Sequence, residues 1–148
     1  MFLFDCFIVQ KIDGNYKFLL LKRSEGKIYE NMWRMVAGKI QENEKAWQAC
    51  LREIKEETNL SINELYSVPT TNSFYEWETD SLHNIPVFLA ITDESKVTLN
   101  EEHTEYGWFY IDEAISKLPW PGQKKGLEES FKMLTNEDLK KVLRIQFE

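Results

Sequence analysis

"GKIQENEKAWQACLREIKEETNL", residues 38–60, brings Glu53, Glu56 and Glu57 together on one short segment with helical periodicity. Glu53 and Glu57 stand four residues apart, a like-charge spacing that costs an exposed helix roughly 0.2–0.5 kcal/mol. Either the crowding is a solvated acidic face or a positive charge belongs among the carboxylates. Read as bare "EIKEE", the solvated face is the simpler account, so the wider spacing has to decide.

At about 100° per residue, Trp47, Cys50, Leu51 and Ile54 fall in one arc, the stripe expected to pack against a sheet. The three glutamates occupy the adjoining arc with Ala46 and Ala49, two small residues that predict a hollow above the helix backbone. A divalent cation would turn the repulsion into attraction. Mg²⁺ prefers hard oxygen ligands and is commonly shared between carboxylates and substrate phosphates.

Outward from this segment, "FLFDCFIVQK" and "YKFLLLKRS" read as β-strands joined through Asp13-Gly14, a hairpin signal. Residues 25–38 lack clean periodicity and read as a loop or short strand ending at Gly38. A helix is expected over 44–58. "SINELYSVPTTNSFYEWET", "HNIPVFLAITD" and "TEYGWFYI" read as three further strands. "DEAISKL", "QKKGLEESFKML" and "NEDLKKVLRIQF" read as helices, with Asp112 and Asn136 as expected N-caps and "PWPG" at 119–122 as a break. No repeat or linker interrupts the 148 residues, and the element order predicts one α/β domain with a mixed sheet between helices.

The net charge of −7 and the absence of a basic stripe exclude a long nucleic-acid footprint as the expectation. Cys6 and Cys50 have no metal-type spacing and read as core thiols of a reducing compartment, with one disulfide as the most they could form. The apolar opening "MFLFDCFIVQ" is interrupted by Asp5 and too short for a signal or spanning segment. Cytoplasmic residence and no membrane partner are expected.

The spacing Gly38, five residues, Glu44, seven residues, Arg52-Glu53-Ile54-Lys55-Glu56-Glu57-Thr58-Asn59-Leu60 resembles the signature box of the Nudix hydrolases, G-x5-E-x7-R-E-U-x-E-E-x-G-U with U aliphatic. All six charged or glycine positions before the last glycine match. At roughly one residue in fifteen per position, chance would produce them about once in ten million start sites. The last glycine is Asn59 here. Asparagine tolerates the left-handed conformation wanted at a helix end, so the helix stop is expected to survive.

The resemblance implies a Nudix-type α/β/α sandwich that binds Mg²⁺, with Mn²⁺ as a substitute. It implies Glu53, Glu56 and Glu57 as metal ligands, the Gly38 backbone close to the metal, and Arg52 and Glu44 as orienting partners. The resemblance implies that the base taking the water proton is a box Glu or a glutamate on a later loop, the latter also joining the metal. Among Glu101, Glu102 and Glu105 the best match is Glu102, followed by His103, which reads as a structural neighbour. His83 has no motif around it.

The implied reaction is hydrolysis of a phosphoanhydride in a small nucleotide. "MWRMVAG", "EEHTEYGWFYIDEA" and "LPWPGQKKGLEES" resemble the dATP or dihydroneopterin triphosphate pyrophosphohydrolase subgroup, which implies a nucleoside or pterin triphosphate cleaved to monophosphate and pyrophosphate. Tyr75 lies near a position that keeps a diadenosine polyphosphate substrate open. A nucleotide-binding module without turnover is a further alternative, disfavoured because all three box carboxylates are kept. Arg23 and Lys39 are the expected phosphate contacts, and Trp33, Phe74, Tyr75 and Trp77 the candidate stacking surfaces. A homodimer is among the partners the family resemblance suggests.

Overall fold

A computed structural model describes residues 3–147; Phe2 of the expected first strand lies outside them. β1 (Leu3–Ile12) alternates strictly, sending Phe4, Cys6 and Ile8 into one core and Phe7 and Val9 into another. This is the period of two that a doubly covered strand requires. β2 (Asn15–Arg23) repeats the pattern with Leu19 and Leu21 on the first side and Phe18 and Leu20 on the second. Between them Asp13 and Gly14 have φ of 51° and 81°, the positive values of a two-residue hairpin turn.

β1 and β2 then part. They pair antiparallel from Val9↔Phe18 to Ile12↔Asn15, but residues 3–6 of β1 pair with β4 (Val36–Lys39), and Leu21–Lys22 of β2 pair with β3 (Trp33–Arg34). The 33–39 segment therefore fills a fork in the sheet and sets Gly38 directly opposite Phe4. β5 (Glu64–Glu76) and β6 (Ser81–Ile91) form a long antiparallel hairpin, β6 lies parallel to β1, and β7 (His103–Phe109) pairs with β2. The result is one mixed seven-stranded sheet.

α1 (Ala46–Thr58) covers one face through Ala49, Cys50 and Ile54, which join Phe4, Cys6 and Ile8. Full burial of Ile54 contributes about 1.5–3 kcal/mol. α2 (Ile111–Lys117), α3 (Pro121–Leu134) and α4 (Glu137–Leu143) cover the other face through Ala114, Leu127, Met133, Leu134 and their neighbours. The expected architecture, a mixed sheet between helices, is the one observed.

Several local expectations are corrected. α1 starts at Ala46 instead of residue 44, because the Glu44 side chain caps the preceding turn by accepting from the Gln41 N–H at 3.0 Å. Ala49 is wholly buried in the core, so the two alanines do not open a hollow; the stripe is rotated toward them, leaving Trp47 and Leu51 half-buried. Tyr110, not Asp112, is the N-cap of α2. Asp112 sits in the first turn, where its charge faces the free N–H groups. Asn136 does cap α4, accepting from the Leu139 N–H at 3.1 Å. α4 ends at Leu143, since Arg144 bridges Tyr66 and the Ile145 N–H donates to the Leu65 carbonyl at 2.8 Å. Cys6 and Cys50 are buried free thiols. Among the described residues no helix is long and apolar enough to cross a membrane.

Candidate active site

α1 ends at Asn59, whose φ of 59° and ψ of 18° are left-handed and whose N–H donates to the Lys55 carbonyl at 3.0 Å. Asparagine thus does at this cap what glycine would do. Two turns earlier, Arg52 clamps three elements together. Its Nε and Nη2 donate to the two Glu44 carboxylate oxygens at 2.8 and 3.0 Å, its Nη1 donates to Glu53 Oε1 at 2.7 Å, and its Nη2 also reaches the Lys39 carbonyl at 3.0 Å. Hydrogen bonds from Arg52, and then from the Gln41 N–H, hold Glu44 below the usual carboxylate range. The same carboxylates push the Arg52 guanidinium further up. The fork-to-fork geometry fixes direction as well as charge.

Gly38 has no side chain for a steric reason. A Cβ there would lie 2.8 Å from both Cγ and Cδ of Glu53. Strand β4 can pass under that carboxylate only as bare backbone.

Glu57 lies deepest. It is 2% exposed, and its Oε2 has no hydrogen-bond partner among the described residues. Burial, reinforced by the hydrogen bond and charge of neighbouring Glu53, pushes its carboxyl up to about 9. Opposite it, His103 Nδ1 lies 3.7 Å from Glu57 Oε1. Burial first, then the charges of Arg23 and Arg34, pull the imidazole down to about 4, so it is neutral at physiological pH. Both His103 nitrogens are buried without hydrogen-bond partners among the described residues. Ligand atoms of Glu57, Glu102 and His103 all lie within 4.8 Å of one another. One orphaned carboxylate oxygen and two orphaned imidazole nitrogens, beside a carboxyl that burial holds protonated, are what a divalent cation would satisfy, so the donor set fits such an ion.

Glu102 reaches this group from a loop pinned by backbone bonds. Its carbonyl accepts from the Ser24 N–H at 2.9 Å, its N–H donates to Asn100 Oδ1 at 3.2 Å, and the Thr98 N–H ties the loop to the Thr58 carbonyl at 3.0 Å. Arg23 Nη1 stands 3.7 Å from Glu102 Oε2. Glu56 faces solvent, within 3.4 Å of Arg52 Nη1. Glu101 is exposed, and Glu105 pairs with Lys22 at 3.2 Å on the strand surface.

A cleft of about 1130 Å³ adjoins the cluster. Gly38, Lys39, Glu53, Glu102 and Arg23 line it, together with Trp33 and Phe74. The structure adds Arg34, Tyr29, Trp120 and Gln123, which sequence reasoning missed. Arg34 is half-buried, with no salt bridge to a carboxylate among the described residues, and burial and then the Arg23 charge lower its affinity for its proton. Its two-residue strand carries no periodicity to reveal it. Tyr29 and Trp120 meet edge to face, centroids 5.2 Å apart at 84°, although 91 positions separate them. Tyr75 does not line this cleft. It is 58% exposed, and its hydroxyl donates to Asp80 at 2.6 Å. Trp77 is exposed as well, and His83 stacks on Phe74 away from the cluster.

A family model described as "NUDIX domain" matches residues 4–131. The chain belongs to that family. Among curated Nudix relatives, it is 26% identical over 149 aligned residues to Nudix hydrolase 6 of Arabidopsis thaliana, covering 97% of this chain and 45% of that protein. The chain therefore spans less than half of that relative's length. It is 30% identical over 111 residues to the asymmetrical bis(5'-nucleosyl)-tetraphosphatase of Caenorhabditis elegans, covering 73% of this chain and 78% of that one. Among solved structures, a Nudix hydrolase from Listeria monocytogenes superimposes with a TM-score of 0.78 at 28% identity, covering 93% and 97% of the two chains. The Escherichia coli dihydroneopterin triphosphate pyrophosphohydrolase is more distant, with a TM-score of 0.66 at 20% identity over 84% and 92% of the chains, and shares the fold alone. The subgroup suggested by the sequence thus reduces to membership of the Nudix family.

Proposed function

We propose that this chain is a divalent-metal-dependent Nudix hydrolase that cleaves a phosphoanhydride bond of a nucleoside polyphosphate. The observation that carries the reading is the buried Glu57 carboxyl, its Oε2 without a hydrogen-bond partner among the described residues, gathered with Glu102 and His103 beside a large cleft that Glu53 and Glu102 line. Mg²⁺, or Mn²⁺ in its place, would neutralise the phosphate chain when bound there and acidify the attacking water. Glu57, Glu53 and Glu56, with the Gly38 carbonyl, would hold the ion in this reading. Arg52 and Glu44 keep Glu53 in place. Glu102, whose side chain is 41% exposed, would join them as a ligand and would take the proton of the attacking water. Arg23, Arg34 and Lys39 offer positive charge to phosphate oxygens.

Two observations favour a dinucleoside polyphosphate over a nucleoside or pterin triphosphate. The cleft, at about 1130 Å³, exceeds the roughly 300–1,000 Å³ usual for one small ligand. More than one aromatic group lines it: the Tyr29–Trp120 pair, Trp33 and Phe74. The C. elegans relative, named for a bis(5'-nucleosyl)-tetraphosphate, agrees. A panel of dinucleoside polyphosphates, nucleoside and pterin triphosphates and nucleotide sugars, assayed with Mg²⁺ and product identification, tests the proposal. Turnover that Glu57→Gln abolishes is expected. No turnover of any compound by the unmodified protein would overturn it in favour of a binding module. Cytoplasmic residence and a homodimer belong to the same proposal.

A further inference from the structure

Glu57 Oε1 and His103 Nδ1 face each other at 3.7 Å across a space almost closed to solvent. That separation is too long for a hydrogen bond, which needs about 2.7–3.2 Å. It is the separation of two donors on one ion. With ligand bonds of about 2.1 Å and an angle between 90° and 180°, donors stand roughly 3.0–4.2 Å apart.

The imidazole has no other occupation. Its side chain is 0% exposed, and neither nitrogen has a hydrogen-bond partner among the described residues. A neutral ring keeps one N–H and one lone pair, and burying both unpaired is costly. Glu57 Oε2 is orphaned in the same way, and a Glu102 oxygen completes a group within 4.8 Å.

The backbone turns His103 toward this group through an irregularity. Lys22 pairs with Glu105 and Arg23 with His103, so Thr104 is the extra residue of a β-bulge. A bulge re-aims side chains that a regular strand would send to opposite faces. Here Glu102 and His103, adjacent in sequence, both bring a donor atom to Glu57.

We infer that His103 supplies a nitrogen ligand to the divalent cation held by Glu57 and Glu102, tilting this site from Mg²⁺ toward Mn²⁺, Co²⁺ or Zn²⁺. Imidazole suits the borderline transition ions, whereas Mg²⁺ takes oxygen. The inference rests on the proposal that a cation occupies the acidic group, and it adds a ligand that the box spacing does not contain.

Mn²⁺ is the probe. Free Mn²⁺ is titrated by electron paramagnetic resonance, and pulsed spectra of the loaded protein are read for coupling to a directly bound nitrogen. The unmodified protein should bind Mn²⁺ and show that coupling. Labelling histidine with ¹⁵N should change it, and His83→Asn, which alters the only other histidine, should leave it intact. In His103→Gln the coupling should vanish, and the preference for Mn²⁺ over Mg²⁺ should fall about tenfold or more. Mn²⁺ bound without nitrogen coupling overturns the inference while leaving the cation site standing. No Mn²⁺ bound at all overturns both. Because the unmodified protein carries the decisive spectrum, a variant that fails to fold does not remove the test.

Discussion

Gly38 and Glu53 meet face to face: strand backbone lies so close under the carboxylate that a single added methyl would come within 2.8 Å of two of its carbons. Both partners are fixed from behind, Gly38 by pairing with Phe4 and Glu53 by the Arg52 guanidinium. Neither can yield without moving a strand or breaking a charged hydrogen bond.

Gly38→Ala should therefore push the Glu53 carboxylate off its place. Metal affinity and kcat should each drop at least tenfold, a size typical of displaced ligands and their supports, while circular dichroism shows the fold retained. Isothermal titration with Mn²⁺ measures it. Unchanged affinity would mean that Glu53 is no ligand.

Arg52→Lys keeps the charge and loses the fork that grips Glu44 and Glu53 together. A compact ammonium cannot hold two carboxylates and the Lys39 carbonyl at once. Mn²⁺ affinity should fall roughly 10- to 100-fold, and a wild-type dissociation constant would show the clamp to be irrelevant to the site.

Without metal, stability should depend on pH through two opposed groups. Glu57 keeps its proton to about pH 9 when folded but loses it near 4.5 when unfolded. Its stabilising contribution is thus complete below 4.5 and is lost as pH climbs through 9. His103, lowered from 6.5 to about 4, favours the fold above 6.5 and loses that contribution as pH falls toward 4. The slopes cancel between about 4.5 and 6.5, and above that range Glu57 acts alone. Thermal melts in chelator should show Tm falling from pH 6.5 to 9, and Glu57→Gln should flatten the fall. Added Mg²⁺ should raise Tm more at pH 8.5 than at 6.5, since a bound cation displaces that proton.

Glu102→Gln should lower kcat by about 10²–10⁴, the usual span for a lost general base, with KM little changed. Steady-state kinetics on the best substrate of the panel decides it. Near-normal rates would move proton acceptance to a carboxylate of α1.

Trp120→Ala removes one ring of the Tyr29–Trp120 pair at the cleft. If a base stacks there, KM should rise about three- to tenfold with kcat nearly constant, as expected for a contact worth about 0.5–1.5 kcal/mol. A KM unchanged for every substrate would return the pair to a structural role.

Much of this molecule is legible in local pattern. The short apolar run "FLFDCFIVQ" marks a strand, Asp13-Gly14 marks its turn, and the box spacing marks α1 with its glutamates and the Arg52–Glu44 pair. These are signals of short apolar runs, period 3.6 and positive φ, all written within a few neighbouring residues. The resemblance puts Glu57 and Glu53 ahead of Glu56, but how deep each carboxylate lies is not written there: Glu56 and Glu57 are adjacent in sequence, yet one faces solvent and the other is buried. Nor could the misplaced hollow at Ala49 have been avoided, because a helical wheel gives angles between side chains but not the depth of the sheet beneath them.

From the sequence by itself come the strands, the helix, the family and the chemical type of the site. Only the tertiary structure decides that Glu57 holds its proton, that His103 stands opposite it, that Arg34 enters the cleft and that Tyr75 stays outside. The reason is physical: backbone preference is a property of a few consecutive residues, whereas desolvation and the field at a carboxylate are sums over groups that meet only when distant strands pair.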